Sequence, residues 1–87
     1  MTYELNGLAF TDKEMSFSYL REIFDLPEYT GHNLDALWDV LLDLEASDIL
    51  IYNAREILNQ LDDYGLALLN LFGDLHQESD HNVLFFW

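Results

Sequence analysis

The chain has 87 residues, 51% apolar and 15% aromatic, enough for one hydrophobic core and well clear of disordered composition. Its 17 acidic residues against 3 basic ones give a net charge of −14, which repels phosphate backbones and anionic membranes and suits either plain solubility or a basic protein partner. There is no cysteine, so disulfides, thiolate metal sites and cysteine nucleophiles are excluded together.

Met1–Phe10 has neither a basic n-region nor a long apolar run, so a cytoplasmic location is expected. The first β-type segment, Thr2–Leu5, alternates Tyr3 and Leu5. Asn6-Gly7 fits a type I′ hairpin turn, but that reading ranks second, because Thr11-Asp12-Lys13-Glu14 follows at once with capping-box spacing. Thr11 is then the expected cap of a helix with Phe17, Leu20, Ile23 and Phe24 on its apolar face, ended by Pro27. Asn33 caps a second helix, in which Leu34, Leu37, Leu41 and Leu44 recur at helical spacing. Asp48–Tyr52 is a second strand, and Asn53 with Glu56 opens a third helix. Leu66, Leu69, Phe72 and Leu75 mark a fourth helix, with His76 and His81 expected at the surface or at helix ends. Asn82–Trp87 is the last strand; like Asp48–Tyr52 it is a short apolar run, as expected of a strand buried on both faces. This alternation predicts an α/β domain over residues 1–87, a small three-stranded parallel sheet packed by about four helices, with right-handed crossovers.

Leu26–Asp43 holds the most information. Gly31 allows φ > 0 and a tight reversal before the second helix, and Asp35 lies in its first turn, where the helix dipole favours a negative charge. Asp35, Asp39 and Asp43 then follow at i, i+4 and i+8, stacking three carboxylates on one face at a cost of about 0.2–0.5 kcal/mol per pair. Trp38 flanks this stripe, and Tyr29 and His32 lie in the loop leading to it. An acidic patch edged with Tyr and Trp fits an anchor set for a basic partner; a solvated acidic face with Trp38 half-buried in the core fits equally well.

The run Leu26-Pro27-Glu28-Tyr29-x-Gly31-x-Asn33-Leu34-Asp35-Ala36-Leu37-Trp38-Asp39 resembles the barstar family, inhibitors of the ribonuclease barnase, and a diffuse, collinear similarity extends along the rest of the chain. The resemblance implies a three-stranded parallel sheet packed by helices. It also implies a protein that inserts one helix and its preceding loop into a nuclease active site. Asp39 matches the family's aspartate that enters the phosphate pocket, and Tyr29, Gly31, Asn33, Leu34, Asp35 and Trp38 match other contact positions. A further acidic contact from the fourth helix aligns with Asp74. The chain departs from the family at Thr30 (Tyr), His32 (Glu), Leu42 (Thr) and Leu44 (Trp), and Val40 replaces a cysteine. Thr30, His32, Leu42 and Asp43 complete the candidate partner-binding set.

The expected partner is therefore a basic, extracellular-type, barnase-like ribonuclease in a one-to-one complex, with the inhibitor monomeric when free. No cofactor, metal, nucleic acid or membrane is expected. Two other readings compete. His32, Asp35 and Asp39 could hold a divalent metal or run acid–base chemistry, but HExxH pairs, nucleophile motifs and phosphate-cradling glycine loops are all missing, so an enzyme is not expected. The same fold could instead bind a different basic protein.

Overall fold

Alternating apolar residues start the chain as strand β1 (Thr2–Asn6), which the computed structural model pairs with β2 (Asp48–Tyr52), itself paired with β3 (Asn82–Phe85). The structure describes residues 1–31 and 33–87, with the backbone alone for Tyr29. Both pairings are parallel, the strand order is β1-β2-β3, and Leu5, Ile51 and Phe85 lie in register across the sheet. The helices are α1 (Lys13–Phe24), α2 (Leu34–Asp43), α3 (Ala54–Leu61) and α4 (Asp63–Glu78), as the sequence pattern predicts.

The sheet is covered on one face, not two. Leu5, Ile49, Ile51 and Val83 are buried, while Glu4 is exposed, Leu50 is half-buried and Leu84 is 43% exposed. Topology explains this. Right-handed crossovers that step twice in the same direction lay their helices on the same side of a sheet. The apolar residues of the bare face pack on one another instead, Tyr52 stacking on Phe86 at 5.0 Å.

Several helix and strand ends also differ from expectation. Asp12, not Thr11, caps α1, its Oδ1 accepting the Met15 N–H at 2.7 Å. The helix stops at Phe24 before Pro27 is reached, because Asp25 turns left-handed (φ 54°) and the Leu26 N–H donates back to the Arg21 carbonyl at 3.0 Å. The hairpin at Asn6-Gly7 does not form: Gly7–Ala9 is a 3-10 turn, and Asn6 Oδ1 accepts from the Leu8 N–H and from Asn53 Nδ2. Gly7 serves a close approach, since a Cβ there would lie 2.0 Å from the Asn53 carbonyl oxygen. Asn53 sits in the left-handed region (φ 53°) and not in the extended backbone of a cap, so it makes no side-chain cap, and the Phe86 carbonyl accepts the first N–H of α3. β3 accordingly ends at Phe85, short of Trp87. On α4 the buried face runs through Leu68, Leu69, Leu71, Phe72 and Leu75, leaving Leu66 51% exposed.

Two hydrogen bonds lie at the sheet margins. The Asn6 N–H of β1 donates to the Tyr19 hydroxyl at 2.9 Å, and the Val83 N–H of β3 donates to His76 Nδ1 at 3.0 Å.

Candidate functional site

The site is built from the segment between α1 and α2, from α2 itself, and from one face of α4. After Asp25 and Pro27, a 3-10 turn at Glu28–Thr30 leads to Gly31, whose backbone (φ 54°, ψ −134°) lies where L side chains rarely go. A Cβ at Gly31 would meet nothing within 4 Å, so glycine is required there by conformation and not by space. Asn33 then caps α2, its Oδ1 accepting the N–H groups of Asp35 (2.8 Å) and Ala36 (3.3 Å).

Leu37 and Leu41 bury the inner side of α2, and Leu34, Trp38, Val40 and Leu44 pack partly against the same core. The outer side presents Asp35, Asp39, Asp43 and Leu42, all exposed. None of the three carboxylates makes a side-chain hydrogen bond among the described residues. Asp43 is the last residue of α2, where the helix dipole disfavours a negative charge. The face is thus held in place by its leucines; of its acids only Asp35, in the first turn, is favoured by the helix dipole.

Between α2 and α4 runs an open groove of about 560 Å3, lined from α2 by Leu34, Asp35 and Trp38. Asp74 faces them from α4, together with Asn70, Leu71 and Glu78. The structure therefore places Asp74 across the groove from α2. Trp38 is half-buried against the core, with its remaining surface in the groove. Asp39 and Asp43 lie outside the groove lining.

Thr30 is the main correction. Offered as a partner contact, its side chain is fully buried, with Oγ1 lacking a hydrogen-bond partner among the described residues. The smaller residue turns into the protein instead of out toward a partner. An orphaned buried hydroxyl costs more than an apolar isostere, so Thr30→Val should raise the stability of the free protein by at least about 1 kcal/mol. A denaturant midpoint that falls would contradict the placement. His32, and with it the proposed His32–Asp35–Asp39 constellation, lies outside the described residues, as does the side chain of Tyr29.

Three contributors escaped the sequence reading. Glu78 sits one helical turn beyond Asp74 and was discoverable by extending the acidic spacing along α4. Arg21 donates through Nη1 to the Gly31 carbonyl at 3.2 Å, a link that periodicity does not signal. His81, expected at the surface or at a helix end, lies just past the end of α4 but is buried at 3% exposure; Nδ1 accepts the Ser47 N–H at 3.2 Å, while Nε2 faces the Leu41 carbonyl of α2 at 2.7 Å. Burial raises the Tyr64 phenol above its usual 10.0, but Tyr64 lies at the start of α4 under Lys13, away from the groove. Among the described residues no cluster of three or more His, Asp or Glu side chains could hold a metal ion, and no helix is long and apolar enough to cross a membrane.

α2 thus carries exposed carboxylates beside a groove whose far wall adds Asp74. A family model described as Barstar (barnase inhibitor) matches residues 1–87. The chain belongs to the barstar family. No individual curated protein matches it. Barstar family members are inhibitors of barnase-type ribonucleases and not enzymes. The barstar fold, a three-stranded parallel sheet with four helices, is the architecture described above.

Proposed function

We propose that this chain inhibits a basic, barnase-like ribonuclease, one to one, by seating α2 and the loop before it in the nuclease active site. The observation that carries the reading is the outer face of α2, where Asp35, Asp39 and Asp43 are exposed and their carboxylates make no hydrogen bond among the described residues. A ribonuclease must stabilise a negatively charged phosphoryl transition state, so its cleft is lined with cations. Carboxylates on a preformed helix satisfy those cations without offering a scissile bond, and little ordering is left to be done on binding. Asp39 is the proposed central anchor. Asp35, Trp38 and Asp74 form a slot that suits a cationic side chain, because an aromatic face and carboxylates both attract it. Leu42, 42% exposed where the family has Thr, makes one part of this face apolar and favours a cognate nuclease with an apolar rim.

The test is residual RNA cleavage by barnase-like nucleases, one of them from the same organism, at increasing inhibitor. Full activity throughout would refute the proposal. Kinetics supply a second check. Association should exceed the unsteered range of about 10⁵–10⁶ M⁻¹s⁻¹ at low salt. It should slow as the screening length contracts to about 3 Å at 1 M salt, with dissociation responding less. A salt-independent association rate would be the contrary result.

A further inference from the structure

We propose that Arg21 is a positioning residue for inhibition, fastening both ends of the segment that carries α2 into the partner; this rests on the function proposed above. The two attachments come from one residue. At the start of the segment, the Arg21 backbone carbonyl accepts the N–H groups of Asp25 and Leu26 and closes α1. At its end, the Arg21 guanidinium donates to the Gly31 carbonyl at 3.2 Å. Among the described residues the backbone bonds of this segment are short-range: Thr30 N–H to Pro27, Gly31 N–H to Glu28 and Asn33 N–H to Thr30. Leu26 and Thr30 are buried, but the Thr30 hydroxyl gains no partner by it.

Gly31 makes the side-chain bond matter. A glycine carbonyl is not aimed by Cβ sterics, so the peptide leaving Gly31 can swing unless something holds its oxygen. Arg21 holds it, two residues before the Asn33 cap of α2. Charge alone argues the other way. Arg21 shares a surface recess with Glu14, Glu28 and Gly31, and a cation beside an acidic binding face opposes a basic partner. Any benefit of Arg21 to inhibition must therefore come from geometry.

The experiment compares the full chain with Arg21→Gln and Arg21→Lys. Three quantities are read: amide hydrogen exchange across residues 28–36 in the free protein, the urea midpoint, and association and dissociation rates with a barnase-like nuclease. For Arg21→Gln, exchange in this segment should accelerate about tenfold, the worth of one charge-assisted hydrogen bond, while amides of the sheet are unchanged. Dissociation should quicken by a similar factor, whereas association holds or rises because a positive charge has gone. Arg21→Lys restores the charge without the planar fork, so it should return association to the wild-type rate and leave segment exchange fast. Unchanged segment exchange in both variants, or faster association with unchanged dissociation, would overturn the proposal. Failure of the wild-type chain to inhibit would instead sink the functional reading, and the exchange measurement would still decide whether Arg21 holds the loop.

Discussion

Replacing Asp39 with Asn should leave the free protein as stable as before, or more so, and weaken inhibition by about 2–5 kcal/mol, a range to which nuclease–inhibitor pairs of this family contribute. The two effects have opposite signs because Asp39 serves different ends in the two states. In the free chain it is exposed, makes no hydrogen bond among the described residues, and is repelled by Asp35 and Asp43 one turn away on either side. Relieving those two pairs is worth a few tenths of a kcal/mol each. In the complex the same carboxylate would face desolvated cations, and asparagine leaves them without a charged partner. The denaturant midpoint of the variant and its inhibition constant decide the matter together. A lower midpoint with unimpaired inhibition would refute Asp39 as the anchor.

The second large effect is expected at His81, far from the acidic stripe in sequence. The Ser47 N–H can only donate and the Leu41 carbonyl can only accept, so the buried ring is the neutral tautomer carrying its proton on Nε2. One imidazole thereby ties the C-terminal part of α2 to the residue preceding β2 and to the start of β3. His81→Ala would strand the Ser47 N–H inside the protein, while the Leu41 carbonyl keeps the Leu44 N–H, so the loss should be about 1–3 kcal/mol. His81→Gln, which keeps one donor and one acceptor, should fall between. Denaturant unfolding of the three proteins measures this directly, and equal midpoints would show that the two bonds contribute nothing.

Where a local signal had a local cause, the sequence was enough. Asn33 caps α2 because the amide it needs is its own, and Ile49-Leu50-Ile51 is a strand because no helix of that length would bury it. The α2 surface was readable for the same reason: a helical period carries Asp35, Asp39 and Asp43 to one side whatever packs on the other. Errors arose where a distant residue competed. Asn53 is held in the left-handed region with its Nδ2 on Asn6, 47 positions away, and so lacks the extended backbone that a cap needs. Leu84 lies in an apolar run yet is exposed, because the crossover direction, and not composition, decides which face of the sheet is covered. Thr30 and His81 could not be placed from spacing at all, since the burial of each is set by the elements that close over it.

The two bonds at the sheet margins bear on how this chain behaves when crowded. A short parallel sheet has two open edges, each a template on which another molecule's strand can add and from which aggregates grow. Here the Asn6 N–H on one edge is already spent on the Tyr19 hydroxyl, and the Val83 N–H on the other is spent on His76 Nδ1. An incoming strand would have to displace a side chain from either edge before completing its ladder. In a domain whose outer sheet face already exposes Leu84 and Phe86, these bonds make strand addition at either edge costlier.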